Sequence, residues 1–373
     1  MIYLDYSATT PVDKEVLDTF IKVSEEFIGN PNSLHKLGVD SKKLMEASVK
    51  QIKDLLGLKS SEIIFTSSAT EANNLALLGI ANKYKNRGNH IITTKLEHSS
   101  ILETVKYLEE IGFEIDYVDI LDNGLVDLDD LRNKIKKETI LVSICQVNSE
   151  VGIKQDLEGI KKVIKEYKNV FLHVDGTQTI GKIDINIDDI DLYSMSAHKI
   201  YGLKGIGCLI KKDNLDLIPL IHGGKSQSDY RSGTPSVALI ASMAKALRLA
   251  LSDLDKKYDY VKDLNKKLVK GISIEGIIIS SNEYSIPHIV NLSVLGIKSE
   301  TLLHALEEYD IYISTKTACS KNGEGSITLE AMNKSKEISN SSIRISLSHL
   351  TTEKEIERFI EVFKIIVEKL RMK

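Results

Sequence analysis

The stretch Ser194-Met195-Ser196-Ala197-His198-Lys199 closes an apolar run that begins at Asp191, and it decides the fold class of this chain. An earlier apolar run, Val170-Phe171-Leu172-His173-Val174-Asp175, ends on a carboxylate. Short apolar runs that end on polar residues are typical of buried strands in a parallel sheet, where functional side chains gather at the carboxyl ends of the strands. We therefore expect Lys199 and Asp175 to lie at the same edge of one sheet.

A lysine beside a carboxylate at such an edge has a specific chemical use. The lysine amine can form a Schiff base with an aldehyde cofactor, and the aspartate can hold a pyridinium nitrogen in its protonated form. Pyridoxal phosphate (PLP) requires both groups, because its ring withdraws electrons only while the nitrogen keeps its proton. Taken singly, Lys199 is better explained as an ordinary surface lysine and Asp175 as a strand-end aspartate; the pair favours PLP.

The bulk composition is that of a globular enzyme. The chain has 373 residues and a net charge of −4, with acidic and basic residues mixed. This length favours two domains, and the charge provides no field for nucleic acid or anionic membranes. We expect no signal peptide, since Met1–Asp5 leads directly into polar sequence, and no apolar run has the roughly 20 residues that a membrane span needs. Three scattered cysteines form neither a disulfide framework nor a metal site, so we expect a cytoplasmic protein without a metal.

Alternating apolar runs and amphipathic stretches predict an α/β fold with a mainly parallel central sheet and helices on both faces. The predicted strands are Ile63–Phe65, His90–Thr93, Glu114–Val118, Ile140–Gln146, Val170–Val174, Asp191–Ser196 and Ile206–Ile210. After Pro235 the pattern changes to long helices, interrupted near 256–259, and then to strands at Pro287–Leu295, Tyr309–Thr315 and Ser342–Ser348. We therefore predict a large α/β domain at residues 14–255 and a small α+β domain at 256–373, with residues 1–13 packing against the latter.

Three further features are candidates for chemistry. The segment Thr66–Glu71 follows a predicted strand and opens a helix, so it is either a plain helix cap or a cradle for a phosphate. Cys319 lies in a polar, glycine-bearing segment, where it is either an ordinary free thiol or a reactive thiolate. Arg344, on a short β-like run, suits either a structural ion pair or a substrate carboxylate.

The chain resembles the cysteine desulfurases, which belong to the class V aminotransferase group of fold-type-I PLP enzymes. The resemblance extends from one end of the chain to the other, and the order and spacing of its short motifs make it specific. The motifs are Tyr3–Pro11, Gly29–His35, Glu62–Thr66, Glu97-His98, Ser194–Lys199, His222–Gly224, Arg231–Thr234, Ala318–Ser320 and Ser342–Arg344.

The resemblance implies roles at the cofactor. Lys199 would hold PLP covalently, with Asp175 at the ring nitrogen and Gln178 at the ring hydroxyl. His98 would stack on the ring and act as an acid or base. The phosphate would be held by Ala69, Thr70, Ser196 and His198.

Other implied roles concern the substrate and a second subunit. Thr234 would reach the phosphate bound to the partner subunit, which implies a homodimer with shared active sites. Asn148 would approach the cofactor and substrate, and Arg344 would bind the substrate carboxylate. Asn30 and Arg231 would form part of the pocket wall.

The implied reaction converts L-cysteine to L-alanine and transfers the sulfur to Cys319 as a persulfide. An acceptor protein would then receive it, for iron–sulfur cluster assembly or for tRNA or cofactor thiolation. A selenocysteine lyase, or another class V PLP lyase or aminotransferase, is the alternative, because it would share every PLP residue. Cys319 on a polar loop favours desulfuration.

Overall fold

The computed structural model describes residues 1–315 and 325–372, which form three sheets covered by helices. The strands are β1 (Ile2–Tyr3), β2 (Ser61–Thr66), β3 (His90–Thr94), β4 (Glu114–Val118), β5 (Thr139–Cys145), β6 (Phe171–Asp175), β7 (Leu192–Ser196), β8 (Gly207–Lys212), β9 (Ile277–Ile279), β10 (Ile289–Val294), β11 (Ile311–Tyr312) and β12 (Ser342–Ser346). The helices are α1 (Lys14–Glu26), α2 (Lys36–Leu55), α3 (Ala69–Tyr84), α4 (Ser99–Glu110), α5 (Leu128–Lys134), α6 (Leu157–Lys165), α7 (Val237–Leu251), α8 (Leu254–Ile272), α9 (Ser299–Glu307), α10 (Ile327–Ala331), α11 (Lys336–Asn340) and α12 (Glu353–Arg371).

The central sheet has the strand order β2-β8-β7-β6-β5-β3-β4. Neighbouring strands from β7 to β4 pair in parallel, whereas β8 runs antiparallel to both β7 and β2. Each parallel connection needs a crossover, and helices α3, α4 and α6 supply several of them. The predicted fold class, an α/β fold with a mainly parallel sheet, is confirmed.

Both faces of the central sheet are buried, and side chains alternate between them. In β7, Tyr193 and Met195 pack toward a core that includes α7, whereas Leu192 packs toward a second core that includes α3 and α4. This alternation follows from the two-residue period of a strand. Because both faces are covered, the strands appear in the sequence as nearly continuous apolar runs.

A smaller unit is built around the antiparallel sheet β12-β10-β9 and helices α8 and α12. The short strand β1 pairs with β11, and Ile2 and Leu4 are buried in the same core. The N-terminal segment therefore packs against the C-terminal part of the chain. The domain limits at 14–255 and 256–373 stay a prediction.

The break between the two long helices lies earlier than the sequence pattern indicates. Helix α7 ends at Leu251 and α8 begins at Leu254, with Asp253 in the left-handed conformation at a φ of 51°. Aspartate tolerates this conformation better than most residues do, whereas the lysines near 256 favour helix. The break expected near 256–259 is therefore inside α8.

Candidate active site

The carboxyl ends of β6 and β7 place Asp175 and Lys199 in the wall of one cavity. Strand β6 ends at Asp175, and β7 ends at Ser196, where the single turn Ala197–Lys199 follows. Because β6 and β7 are parallel neighbours, these ends lie side by side. The cavity has a volume of about 260 Å³, and both residues line it.

The N-terminus of α3 forms another part of the cavity wall. Ser68 caps this helix by accepting a hydrogen bond from the Glu71 amide, and Ala69 and Thr70 line the cavity. Gly207 lets β8 approach closely, since a Cβ there would lie 2.8 Å from the Ser68 carbonyl carbon. Free amides at a helix start attract anions, so this corner suits a phosphate.

His198 lies at this corner, and Ser196 lies next to it without lining the cavity. Ser196 pairs with Gly207 across the sheet, which brings it near the start of α3. The His198 ring lines the cavity and lies 3.2 Å from the Thr9 hydroxyl. Burial and the charge of Lys199 lower the pKa of His198 to about 4, so its ring is neutral at neutral pH.

Asp175 is held by hydrogen bonds at both carboxylate oxygens. Its Oδ2 accepts from Asn73 Nδ2 at 2.8 Å, and its Oδ1 accepts from the Thr177 amide at 2.9 Å. Asn73 also donates to Ser100 Oγ at 2.9 Å, which joins α3 to α4 behind the carboxylate. Asn73 was not predicted as a site residue, because its only signal in the sequence is a polar side chain on the buried face of α3.

His98 caps α4 and lines the cavity. Its Nδ1 accepts from the Ser100 amide at 3.1 Å, which leaves the other ring edge for the cavity. Burial lowers the pKa of His98, an effect that the Asp175 carboxylate opposes and the Lys199 charge reinforces. The imidazole is therefore neutral near pH 7 and able to accept a proton.

The N-terminal segment closes the cavity from the side of the small unit. Lys199 Nζ donates to the Ser7 carbonyl at 2.5 Å and to the Ala8 carbonyl at 2.8 Å. Gln178 Nε2 donates to the same Ser7 carbonyl at 2.9 Å. Ser7 and Ala8 were not predicted as site residues, because they act through backbone carbonyls, which carry no side-chain signal in the sequence.

Arg344 reaches the cavity from β12. Its Nη2 donates to Asp5 Oδ1 at 2.7 Å, and its Nη1 donates to the Ser149 carbonyl at 2.9 Å. Within residues 1–315 and 325–372, its buried Nε has no hydrogen-bond partner. The guanidinium is thus held in place with donor capacity left for a carboxylate.

Several predicted site residues do not themselves line this cavity. Asn148 uses its amide within the chain, donating to the Leu96 carbonyl and accepting from the amides of Glu150 and Val151. Arg231 pairs with Glu71 at 3.0 Å. Asn30 and Thr234 are exposed and line a different cleft together. Cys319 lies outside the described residues.

The polar groups around the cavity match those that PLP would need. In the described part of the chain, three buried polar atoms near it lack hydrogen-bond partners, namely Asn73 Oδ1, Thr177 Oγ1 and Ser196 Oγ. Unpaired buried polar atoms are costly, so they indicate a polar ligand. The donors at the start of α3, the Asp175 carboxylate and the Lys199 amine match the phosphate, ring nitrogen and aldehyde of PLP.

Residues 1–315 and 325–372 contain neither a metal-binding cluster nor a membrane-spanning helix. No group of three or more His, Cys, Asp and Glu side chains is placed to hold a metal ion. No helix there is long and apolar enough to cross a membrane. Cys145 and Cys208 are buried and free, as expected for small apolar side chains.

A family model described as aminotransferase class-V matches residues 2–359. The chain belongs to this family. The family consists of PLP-dependent enzymes, so the expected cofactor is confirmed.

Named relatives extend the match. A protein named cysteine desulfurase IscS from Buchnera aphidicola subsp. Baizongia pistaciae is 43% identical over 99% of this chain and 93% of its own length. A solved structure named NifS-like protein has a TM-score of 0.93 and 37% identity, covering 98% of this chain and 99% of its own. A structure named SspA in complex with cysteine has a TM-score of 0.82 and 31% identity, covering 94% of this chain and 100% of its own. The resemblance to cysteine desulfurases is confirmed.

Proposed function

We propose that the protein is a PLP-dependent cysteine desulfurase that converts L-cysteine to L-alanine and passes the sulfur to an acceptor protein. The observation that carries the proposal is the meeting of Lys199, Asp175 and the start of α3 around one cavity, with Arg344 beside them. The names of the relatives support the reaction, since one is a cysteine desulfurase and another is a complex with cysteine.

When bound, PLP supplies an electron sink for bonds at the substrate α-carbon. Lys199 would hold PLP covalently, and its amine, when free, would move a proton at the substrate α-carbon. The negative charge of Asp175 would keep a proton on the ring nitrogen. Asn73 holds Asp175 in place, because its Nδ2 donates to the carboxylate and to Ser100.

The remaining cavity residues divide between the cofactor and the substrate. The amides of Ala69 and Thr70, with Ser196 and His198, would hold the phosphate at the start of α3. Gln178 would donate to the ring hydroxyl, and the neutral His98 would pack against the ring and accept or return a proton. Asn148, Arg231 and Asn30 do not line the cavity, and we propose their contacts with cofactor or substrate from the family resemblance alone.

Arg344 orients the substrate by its carboxylate. The bond to Asp5 and the bond to the Ser149 carbonyl keep the guanidinium rigid, so it loses little freedom when the substrate binds. Its unpaired Nε supports this role. A charged pair of guanidinium and carboxylate also excludes substrates that lack the acid group.

Cys319 receives the sulfur. Its thiolate attacks the substrate sulfur, and the bond from sulfur to carbon breaks with its electron pair left on the carbon. A proton added to that carbon gives alanine, and the persulfide remains on Cys319. Thiolate attack on sulfur is fastest when the pKa of the attacking thiol lies near the ambient pH. A second thiol, on the acceptor protein, then removes the outer sulfur for iron–sulfur cluster assembly or thiolation.

The protein acts as a homodimer in the cytoplasm. The cleft that holds Asn30 and Thr234 also holds Ile28, whose side chain is 73% exposed, and nearby Leu34 is 96% exposed. Exposed apolar side chains of this size are typical of an interface. A partner subunit there would cover them and would bring Thr234 to the neighbouring phosphate.

The proposal is tested by measuring alanine and sulfide formed from L-cysteine with a reductant, for wild type and Cys319→Ser. We expect sulfide from the wild type only, while both proteins bind PLP. Cys208→Ser, at a buried thiol that does not line the cavity, is the matched control for loss of a thiol outside the sulfur pathway. Equal sulfide from wild type and Cys319→Ser would contradict the role of Cys319 and favour lyase chemistry, as in a selenocysteine lyase.

A further inference from the structure

Lys182 is a buried lysine that the proposed reaction does not use. Its side chain is 7% exposed, and its Nζ donates to Gln178 Oε1 at 2.7 Å. Burial and the positive charges of Lys199 and Arg344 lower its pKa to about 7. Placing an ammonium there costs free energy, which the bond to Gln178 offsets in part.

Lys182 is one end of a hydrogen-bonded chain that leads to the reactive lysine. Gln178 accepts from Lys182 at Oε1 and donates from Nε2 to the Ser7 carbonyl at 2.9 Å. The same carbonyl accepts from Lys199 Nζ at 2.5 Å. Two lysines separated in the sequence are therefore linked through one amide and one backbone carbonyl.

The polarity of the two neighbours determines how the Gln178 amide is oriented. The Ser7 carbonyl only accepts hydrogen bonds, and Lys182 Nζ donates to Gln178 whether it is an ammonium or a neutral amine. The amide oxygen must therefore face Lys182, and the amide nitrogen must face Ser7 and the cavity that Gln178 lines. If the amide were flipped, its oxygen would face the Ser7 carbonyl oxygen, and no hydrogen bond could form between these two acceptors.

We propose that Lys182 is a positioning residue for the cofactor, which fixes the Gln178 amide with its N–H donors toward the cavity. The proposal rests on the proposed function, since it assigns Gln178 to the ring hydroxyl of PLP. Lys182 itself touches neither cofactor nor substrate. It acts by removing the rotational freedom of Gln178, so that the donor is in place before PLP binds.

A double-mutant cycle on PLP affinity tests this role. The variants are Lys182→Met, Gln178→Ala and the double variant, and the dissociation constant of PLP is measured from its visible absorbance. We expect Lys182→Met to weaken PLP binding about tenfold, which is the size of one lost charged hydrogen bond. If Lys182 acts through Gln178, the double variant will bind PLP no more weakly than Gln178→Ala alone. Fully additive losses, or wild-type affinity in Lys182→Met, would overturn the proposal.

Two further variants separate positioning from simple support of the fold. Lys161, 4% exposed, bonds to the Asp188 carbonyl and pairs with Glu158 away from the cavity. Lys161→Met is therefore expected to lower the melting temperature and leave PLP affinity unchanged. Lys182→Gln keeps an N–H donor toward Gln178, so its PLP affinity should stay within about threefold of wild type. A loss as large as that expected for Lys182→Met would refute the positioning role.

The cycle does not depend on the reaction catalysed. If the wild type binds PLP but forms no sulfide from L-cysteine, the proposed function is contradicted. The Lys182 cycle can still be interpreted, because it measures only PLP affinity. Wild type that forms sulfide, with additive losses in the cycle, would contradict only the role of Lys182.

Discussion

The cavity at the edge of the central sheet and the core of the small unit are built in opposite ways. Around the cavity, Asn73, Glu97 and Lys182 are all buried polar or ionisable side chains. The core of the small unit is apolar, and Phe359 and Phe363 stack within it with ring centroids 5.5 Å apart. Burying polar groups around the cavity lowers the stability of the folded protein, whereas apolar packing in the core of the small unit raises it.

This contrast has a direct consequence for mutagenesis. Substitutions at the cavity should change binding and turnover more than the free energy of unfolding. Substitutions in the small core should do the reverse. A cavity substitution that changed mainly stability, or a core substitution that changed mainly PLP binding, would contradict this contrast.

The largest effect is expected for Lys199→Ala. Without the amine, PLP has no covalent attachment and the proton at the substrate α-carbon has no carrier, so turnover should fall at least about a thousandfold. Activity is measured as sulfide release, and attachment as the mass of the protein after borohydride reduction. Exposed Lys204→Ala is the matched control and should behave as wild type. A reduced PLP adduct on Lys199→Ala would show that another lysine carries the cofactor.

Phe359→Ala should produce the largest loss of stability. Removing this fully buried ring leaves a cavity in the apolar core, which costs about 3–5 kcal/mol of unfolding free energy. Urea unfolding measures the loss, and PLP bound per folded molecule should not change. Ile365→Ala, at a side chain 48% exposed on the same helix, is the control and should cost far less. A Phe359→Ala protein with normal stability but weak PLP binding would reverse the comparison.

Glu97→Gln should change how stability depends on pH. Burial, with a smaller contribution from the Asp175 charge, raises the pKa of Glu97 from 4.5 to about 8 in the folded protein. The folded state therefore binds the proton more tightly, and the stability from Glu97 is lost as pH rises from about 4.5 to 8. Glutamine keeps the oxygen that accepts from the Cys145 amide and from Thr94, and it cannot ionise.

The stability of Glu97→Gln relative to wild type should therefore increase with pH. The expected slope is on the order of 1 kcal/mol per pH unit within this window. Denaturant unfolding at several pH values measures it. Exposed Glu103→Gln should follow the wild-type curve. Parallel curves for Glu97→Gln and wild type would mean that Glu97 is ionised in the folded protein.

Much of the central sheet could be predicted because buried strands are apolar runs. The prediction for Glu114–Val118 matches β4, and Ile140–Gln146 differs from β5 by one residue at each end. Strand β9 was not predicted, since its three isoleucines are half-buried at the edge of a small sheet. Short edge strands have few partners, so their sequence pattern is weak.

The candidate site was predicted less completely than the fold. Lys199, Asp175, His98 and Arg344 all line the cavity, because each side chain carries its own chemical signal. Asp5, Ser7 and Asn73 were missed as site residues, although they contact Arg344, Lys199 and Asp175 respectively. Their role depends on neighbours that are far away in the chain, and a sequence does not state those neighbours.

The sequence by itself determined the fold class, the family resemblance and the residue types that PLP chemistry requires, because strand periodicity and short motifs are local properties. The tertiary structure alone decided which of these residues meet. It joined Asp5 to Arg344 and linked Lys182 to Lys199 through Gln178 and the Ser7 carbonyl. The physical reason is that a hydrogen bond forms only where packing brings a donor and an acceptor within about 3 Å, whatever their separation along the chain.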